Sequence, residues 1–412
     1  MRNISTEIVI LGAGVVGLAI AERLVEEGRE VVLVDPNPPG SGASFGNAGT
    51  IADYAVQPVG TPAVLKSLPS LMFSRTSPLA IRPGALLGLT PWLVRFLRQS
   101  LPGPARRNAR ALAALLGGAA PRWQALAERV GGMDLLQSQG CLYLYETPEA
   151  LRAAGPDLEF RRSLGVAVEL LGPAELARLE PSLARVQGGA AWFEGASFLS
   201  DPGLMVTLLA ETAMRHAGLL KARADRIVRQ FDGIIVEGEE FRLRARTVIV
   251  AAGAHSRSLA ASAGDAIPLE TERGYHVEWD MDELPLARPA CPTSRGFYFC
   301  PMAGRLRVAG TVELGGLDSP PSLHRVARLV EGARAFFPWL GDPDRSWMGF
   351  RPSTPDSLPV IGWSAGGPGV IHAFGHGHIG LTLAPVTAEI VADLLAGRTP
   401  HLDLTPCRAD RF

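Results

Sequence analysis

The chain has 412 residues, and its 40 Lys plus Arg against 41 Asp plus Glu leave a formal net charge of −1. This length exceeds one ordinary domain, so we expect two lobes, and the balanced charge argues against nucleic acid as a partner. The four cysteines include no C-x-x-C pair, which disfavours both a disulfide framework and a zinc site. We therefore predict no metal and a reducing, cytoplasmic location.

The first predicted elements form a strand, a glycine-rich turn, a helix and a second strand. Residues 7–11, apolar from Ile8 onward, read as a buried parallel strand, and the sequence GAGVVG follows at once from Gly12 to Gly17. Residues 18–27 have helical spacing, and Gly28 is a typical residue after a helix end. Residues 30–35 read as a second strand that ends in Asp35.

Each glycine of this turn has a distinct physical task. Gly12 permits the tight turn, Gly14 lets the backbone approach a pyrophosphate, and Gly17 allows close packing of helix on strand. The free N–H groups and positive dipole of the helix N-terminus attract phosphate. Asp35, 18 residues after Gly17, is placed to accept hydrogen bonds from a ribose. This context predicts a dinucleotide site.

A second loop of small residues, from Ser41 to Thr50, follows the ribose strand. Such a loop allows the backbone to follow an extended cofactor from its pyrophosphate toward a flavin, which favours FAD over NAD. A flexible surface loop is the alternative interpretation.

The remaining elements alternate between two sets. We predict helices near 105–130 (broken at 117–118), 202–217, 320–337 and 380–395, and strands near 141–145, 224–229, 234–237, 247–250, 274–279, 296–301, 306–311 and 369–374. The predicted fold is α/β, with a Rossmann-type FAD-binding domain assembled from separated segments and an inserted α+β substrate domain on a mixed or antiparallel sheet. We assign residues 1–60, 200–265 and 346–412 to the FAD-binding domain, and 61–199 and 266–345 to the substrate-binding domain.

These pieces together resemble the D-amino-acid oxidase and dehydrogenase superfamily of FAD enzymes over nearly the whole chain. The resemblance is nearest to the bacterial D-amino-acid dehydrogenase-like branch, which includes D-hydroxyproline dehydrogenases. It rests on residues 9–17, 44–49, Asp201-Pro202, 247–253, 273–275, 349–352 with Pro355-Asp356, and 375–382. One departure is Asp35, where members usually carry Glu.

The resemblance implies a substrate pocket around Arg351. A guanidinium is a planar, permanently charged fork that matches a carboxylate, so we expect Arg351 to hold the substrate carboxylate. Tyr298 matches a strand tyrosine that faces the substrate in relatives, and Tyr275 and His276 are further pocket candidates. For each of these residues a purely structural role is the alternative.

The resemblance also implies the cofactor contacts. The turn around His376 and His378 supplies backbone N–H groups to the flavin in relatives. Two His at i and i+2 do not share a helix face, which argues against a metal site. The expected cofactor-binding residues are Gly12, Gly14, Val15, Val16, Gly17, Asp35, Ser44, Asn47, Ala48, Gly49, Ile227, Ala252, Gly253, His376, Gly377, His378, Ile379, Gly380, Leu381 and Thr382.

Relatives that bind FAD covalently carry a Cys near Gly349 or a His in the early glycine-rich loop. This chain has neither, so we expect non-covalent FAD.

The implied reaction is FAD-dependent oxidative deamination of a small D-amino or cyclic D-imino acid, with a hydride passing from the α carbon to flavin N5. A secondary-amine oxidoreductase of the sarcosine-oxidase type and a non-catalytic flavin-bearing subunit are the alternatives. The electron acceptor stays open between oxygen, a quinone and a partner electron carrier. A homo-oligomer is also left open. The basic, amphipathic residues 91–98 leave room for peripheral contact with the inner membrane.

Overall fold

The computed structural model describes residues 2–66 and 79–412. Its central feature is a sheet whose inner strands are short, apolar and parallel. Strand β1 pairs in parallel with β2 on one side and with β13 on the other, and Ile8, Val9 and Ile10 are fully buried. The order along this sheet is β10-β2-β1-β13-β12-β11, with β20 also paired to β13 and β19 to β20. Its strands are β1 Arg2–Leu11, β2 Val31–Val34, β10 Gly218–Leu220, β11 Arg226–Gln230, β12 Gly233–Glu237, β13 Phe241–Val250, β19 Val360–Trp363 and β20 Val370–Phe374.

Helices cover one face of this sheet. Helix α1 (Val15–Glu26) packs against α10 (Gly380–Leu395) and α7 (Pro202–Met214), and α4 (Ala119–Val130) closes the layer. These helices and strands share one apolar core. Parallel strands covered by helices are the arrangement expected of a doubly wound α/β domain.

A second, mixed sheet has the order β18-β14-β17-β16-β15-β6-β8-β7, with β4 paired to β17. All pairings in it are antiparallel except β15 with β6 and β17 with β4. Helix α9 (Leu323–Phe336) packs on one face of β14 and β17. The strands are β4 Leu79–Ile81, β6 Cys141–Leu144, β7 Glu169–Leu171, β8 Ala190–Phe193, β14 Glu270–Asp280, β15 Ala290–Pro292, β16 Phe297–Met302, β17 Arg305–Leu314 and β18 Arg345–Ser353.

The remaining elements join these two layers. A small sheet has the order β3-β9-β5, formed by Thr50–Ile51, Ser197–Leu199 and Leu136–Gln137. Further helices are α2 Leu86–Gln99, α3 Pro102–Leu116, α5 Pro148–Ser163, α6 Pro173–Leu179 and α8 Ser256–Ser262. Within the residues that the structure describes, no helix is both long and apolar enough to cross a bilayer.

The predicted α/β class and the mixed second sheet are confirmed. The predicted break near Gly117 separates α3 from α4, and Gly118 at that break has a positive φ of 74°. The sequence prediction assigned no strand to residues 345–353, because Gly349 and Pro352 are poor strand formers; they form β18 at the end of the sheet order, where proline is tolerated. The proposed domain boundaries remain a prediction.

Candidate functional site

The glycine-rich turn after β1 is packed so closely that no side chain fits at two of its glycines. A Cβ on Gly12, whose φ is +107°, would lie 2.5 Å from the carbonyl oxygen of Ala251, and one on Gly17 would lie 2.0 Å from the carbonyl oxygen of Gly12. Gly14 is the N-cap residue of helix α1 and has no side chain that could cap the helix. The turn therefore presents bare backbone at a helix N-terminus, the surface that suits a pyrophosphate.

The predicted residues from β13 also lie at this turn. The amide of Ala251 donates to the carbonyl of Leu11, and Ala252 lies against Gly12. Gly253 follows directly, with a φ of +53°.

Asp35 lies beside the turn, at the end of β2. Its carboxylate accepts hydrogen bonds from the amides of Ala13 at 2.9 Å and Asn37 at 2.9 Å. The backbone of Asp35 also exchanges hydrogen bonds with Leu220 and Ala222. An acid held in this place can receive a ribose hydroxyl, as the sequence predicted.

Ile227 lies on β11, in the core cluster that also contains Val34 and Val250. Its side chain is 2% exposed in the core beneath the sheet, and its amide donates to Ser262 Oγ at 2.9 Å. The segment from Leu220 to Ala222 adjoins Asp35 and is a further candidate for the nucleotide end of the site, while the role of Ile227 stays a prediction. The sequence could not show this, because the pairing of β10 with β2 is a tertiary contact.

The second glycine-rich loop is tied to the first. Ser44 Oγ accepts the amide of Val15 at 2.8 Å, which links the loop to the first residue of α1. Asn47 closes the loop on itself, because its amide group donates to the carbonyl of Ser44 and accepts from the amide of Gly49. Ala48 lies between these bonds. The loop is therefore an ordered wall rather than a flexible surface segment.

The turn before α10 meets this wall. Thr382 Oγ1 accepts the amide of Ala52 at 2.9 Å, and the carbonyl of Leu381 accepts from Trp123. His376 is 3% exposed, its Nε2 lies 3.0 Å from Thr387 Oγ1, and burial lowers its pKa to about 4. It is thus held inside the protein.

Two backbone donors of this turn are already used. The amide of Gly377 donates to the carbonyl of Pro352, and that of Ile379 donates to the carbonyl of His376. The amides of Gly377 and Ile379 are therefore not available to a flavin in this conformation, and the other predicted residues of the turn stay candidates.

One face of the mixed sheet points toward these loops. Directly paired residues of neighbouring strands project to the same face, and alternate residues of one strand share a face. The β14–β18 register pairs Glu272 with Arg351, Gly274 with Gly349, His276 with Trp347 and Glu278 with Arg345. The β14–β17 and β16–β17 registers add Ala309 and Tyr298 to the row of His276.

Arg351 lies on this face. Its guanidinium covers Gly274, where a Cβ would lie 2.4 Å from Nη2, and Nη1 donates to the carbonyl of Thr311 at 2.9 Å. In the described part of the chain no carboxylate oxygen lies within 4.0 Å of this guanidinium. Burial lowers the pKa of Arg351, and the nearby Glu272 raises it. A desolvated guanidinium with unused donors is suited to bind a carboxylate.

The backbone conformation of Thr311 directs its carbonyl toward Arg351. Its φ is +57°, an uncommon conformation for a β-branched residue, and among the residues that the structure describes its buried hydroxyl has no hydrogen-bond partner. Such local strain occurs at binding sites where the surrounding structure enforces it.

Tyr298 is brought to the same face, beside the aromatic rings of Tyr54 and Tyr143. Its hydroxyl donates to that of Tyr143 at 3.1 Å. Burial, together with Tyr143, raises the pKa of Tyr298, so its phenol stays protonated at neutral pH.

Tyr275 is on the opposite face, which corrects its place among the pocket candidates. It is 2% exposed in the core beneath α9, and its hydroxyl bonds the carboxylate of Glu313 and the amide of Ser322. Alternation along β14 separates it from His276, so the two neighbours cannot both line one pocket.

His276 lies on the sheet face that points toward the glycine-rich loop, and there it contacts the loop backbone and a neighbouring ring. Its Nδ1 lies 3.0 Å from the carbonyl oxygen of Gly46, and its ring stacks on Trp347 with centroids 5.1 Å apart. Burial and the neighbouring Arg307 lower its pKa to about 4. We therefore reassign His276 from a substrate residue to a support of the glycine-rich loop.

Three more titratable residues border the site. Glu272, 5% exposed and opposite Arg351, lines a small cavity with His378 and Ser353, and burial raises its pKa. His378 is exposed to solvent and lines the same cavity. Asp53 follows the loop, and burial raises its pKa to about 6.

Neither Glu272 nor Asp53 was predicted from the sequence. An isolated acid carries no motif, so only the strand register and the loop packing reveal them. Within the described ranges, no group of three or more His, Cys, Asp or Glu side chains is arranged to hold a metal ion.

Comparison with known proteins agrees with this geometry. The chain matches the DAO family, described as FAD dependent oxidoreductase, over residues 7–394. It is 34% identical to a D-amino-acid oxidase of Bradyrhizobium diazoefficiens, over 98% of both chains. It is 31% identical to a D-amino acid dehydrogenase 2 of Ralstonia nicotianae, over 97% of this chain and 99% of the relative.

Solved structures show the same fold. The glycine oxidase of Geobacillus kaustophilus superposes with a TM-score of 0.77 at 25% identity, covering 99% of both chains. The L-proline dehydrogenase of P. horikoshii superposes with a TM-score of 0.76 at 21% identity, over 100% of this chain and 98% of the other. The nucleotide turn, the acid at the end of β2 and the sheet that faces them are those of a flavin enzyme, and the protein belongs to the DAO family of FAD-dependent oxidoreductases.

Proposed function

We propose that this enzyme oxidises a small D-amino or cyclic D-imino acid to the corresponding imino acid, which water hydrolyses to a 2-oxo acid. FAD, when bound, supplies the hydride acceptor. The observation that carries the proposal is Arg351, a desolvated guanidinium on the sheet face opposite the glycine-rich loop, with donors unused by any described carboxylate. An α-amino acid is the small molecule that combines a carboxylate for this fork with an oxidisable C–N bond.

Tyr298 supports the same pose from a neighbouring strand. It lies on the same face as Arg351, and its protonated hydroxyl can turn its single hydrogen from Tyr143 to the substrate carboxylate. Arg351 and Tyr298 then fix one end of the substrate, so that the α carbon faces the cofactor loop. The rate advantage comes from this positioning.

A preference for one enantiomer, of either hand, follows from fixing two directions. Once Arg351 holds the carboxylate and the departing hydride must face the cofactor, the two enantiomers differ only by exchange of amine and side chain. The wrong enantiomer buries its amine without partners, at a cost of about 1–3 kcal/mol. The relatives named D-amino-acid oxidase and D-amino acid dehydrogenase support the D hand.

Anaerobic mixing tests this proposal, because bleaching of the flavin reports hydride transfer whatever the final electron acceptor is. We expect D-alanine, D-proline or D-hydroxyproline to bleach the flavin faster than their L-enantiomers. Faster bleaching by the L-series would overturn the hand of the proposal. Bleaching by sarcosine alone would replace it with a secondary-amine oxidoreductase.

We propose that FAD is bound non-covalently. Gly349 stands where some relatives carry a linking cysteine, and a Cβ there would lie 1.9 Å from the ring of Trp347. The loop from Ser44 to Gly49 contains no histidine. Acid precipitation of the purified enzyme should leave the pellet colourless and the supernatant yellow; a yellow pellet would show a covalent link.

We also propose peripheral contact with an anionic membrane through α2. Leu87 is 90% exposed, and Val94, seven residues further along, is 42% exposed. Arg95 and Arg98 are exposed beside them. Exposed leucine and valine flanked by arginines form the kind of face that binds anionic lipid.

Sedimentation with vesicles tests this contact. The enzyme should sediment with phosphatidylglycerol vesicles and stay in solution with phosphatidylcholine vesicles, and L87E should abolish the difference. Equal sedimentation of wild type and L87E would contradict the proposal.

We propose the division into an FAD-binding domain of residues 1–60, 200–265 and 346–412 and a substrate-binding domain of residues 61–199 and 266–345, with two changes. Strand β18 (Arg345–Ser353) pairs within the mixed sheet and belongs to the substrate-binding domain, and helix α4 (Ala119–Val130) shares the core of the nucleotide-binding layer and belongs to the FAD-binding domain. The proposed function accommodates oxygen, a quinone or a protein as the electron acceptor. It also accommodates a homo-oligomeric state and a cytoplasmic location.

A further inference from the structure

A network of buried charges connects the mixed sheet to the cofactor loop. Glu278, 4% exposed, accepts hydrogen bonds from Arg307 at 2.7 Å, from Arg305 at 3.1 Å and from Arg345 at 3.1 Å. Burial alone would raise the pKa of Glu278, but these guanidinium groups, Arg307 first, lower it to about 2. The carboxylate is therefore ionised at any pH at which the enzyme works.

Arg307 carries this network to the loop. It is 1% exposed, and its Nη1 donates to the carbonyl of Asn47 at 2.6 Å and to that of Phe45 at 3.3 Å. These two carbonyls belong to the loop whose Ser44 is bonded to the first residue of α1. One side chain of the mixed sheet thus holds the backbone that runs from the nucleotide turn toward the proposed flavin position.

The Asp201-Pro202 motif is the other end of the network. Asp201 caps helix α7 by accepting the amide of Leu204 at 2.9 Å, and its second oxygen accepts from Arg305 at 3.0 Å. The motif therefore connects a helix of the nucleotide-binding layer to Glu278. The ion pair with Arg305 gives Asp201 a role, although Asp201 is not among the residues assigned to the cofactor or the substrate.

We propose that Arg307, oriented by Glu278, is a positioning residue that sets the shape of the loop from Ser44 to Gly49 and thereby the affinity for FAD. Ionised Glu278 fixes the guanidinium plane through Nε, which leaves Nη1 directed at the loop carbonyls. Without this donor the buried carbonyls of Phe45 and Asn47 lose their hydrogen bonds, and the loop must move so that they can bond to water. The proposal rests on FAD lying along this loop, as the proposed function requires.

The experiment measures FAD binding to the apoprotein by fluorescence titration, together with the melting temperature of the apoprotein. R307M removes both loop contacts, R307K keeps the charge without the planar fork, and E278Q weakens the orientation of Arg307. The matched control is R288M, because Arg288 makes a comparable buried ion pair with Glu180 at 2.7 Å and, among the contacts that the structure describes, none reaches the loop.

We expect R307M to raise the Kd for FAD at least tenfold and to blur the fine structure of the visible flavin band, with R307K and E278Q intermediate. R288M should lower the melting temperature but keep the Kd within about twofold of wild type. If R307M does not fold, R307K and E278Q carry the comparison.

A wild-type Kd in the folded Arg307 and Glu278 variants would overturn the inference, as would a Kd increase in R288M equal to theirs. These outcomes leave the proposed function intact. Failure of the wild-type protein itself to bind FAD would instead remove the proposed function.

Discussion

Replacing Arg351 by methionine removes the one charged group that the proposed pose assigns to the substrate carboxylate. Methionine retains the unbranched stem that lies over Gly274 and has no donor for a carboxylate. The variant should fold, because the described contacts of the guanidinium include a single hydrogen bond, to the carbonyl of Thr311. FAD occupancy should be unchanged, since Arg351 has no described contact with the glycine-rich loops.

The size of the effect follows from what Arg351 offers. A charged, bidentate hydrogen-bonded partner that is buried on binding costs about 2–4 kcal/mol when removed. At about 1.4 kcal/mol per factor of ten, kcat/KM for a D-amino acid should fall roughly 30- to 1,000-fold. Most of the loss should appear in KM, because the carboxylate is held in the ground state and in the transition state alike.

The assay is anaerobic single-turnover reduction of the flavin across a range of substrate concentrations. R351K is the matched variant: it keeps the charge but not the planar fork, so its loss should be smaller than that of R351M. Wild-type kinetics in R351M would remove Arg351 from the site. A loss of FAD with unchanged substrate binding would show that it serves the cofactor instead.

Four further substitutions test other parts of the site and the core behind it. Y298F should lower kcat/KM several-fold, whereas Y275F should leave kcat/KM unchanged. Y275F should instead lower the free energy of unfolding by about 1–3 kcal/mol, because Tyr275 bonds a carboxylate in the core. Equal effects of the two variants on kcat/KM would contradict the assignment of Tyr298 and Tyr275 to opposite faces of the sheet. Burial raises the pKa of Asp53 to about 6, so the folded protein loses stability as pH rises from about 4 to about 6. The free energy of unfolding of D53N, relative to that of wild type, should therefore be about 2 kcal/mol higher at pH 8 than at pH 4. Thermal melts at both pH values check this, and a difference that does not change with pH would refute it. G349A should lower the melting temperature by several degrees, because its Cβ would overlap the ring of Trp347, and an unchanged melting temperature would show that the ring moves aside at no cost.

The nucleotide end of the site could be predicted almost completely from the sequence. The turn from Gly12 to Gly17 and the acid at position 35 are close together along the chain, and each has a local physical requirement: a positive φ, space for backbone contact, or an acid at a strand end. The apolar runs before and after them are typical of buried parallel strands. Local patterns of this kind do not depend on how distant segments pair.

Arg351 was singled out only through resemblance to a family, since an arginine before a proline is not a motif by itself, and its role toward the substrate stays a prediction. The structure adds why it is available: Gly274 beneath it has no side chain, and Thr311 is strained so that its carbonyl meets the guanidinium. Both residues come from other strands, and their proximity to Arg351 depends on strand register.

Register also decided the corrections. Tyr275 and His276 are neighbours in sequence, but successive residues of a strand project to opposite faces, so Tyr275 is in the core and His276 is at the cofactor loop. Which of the two faced the cofactor depended on the pairing of β14 with β17 and β18. The sequence by itself determined the nucleotide turn, because local backbone geometry specifies it; the tertiary structure alone decided the substrate face, because strand pairing joins residues that are far apart in the chain.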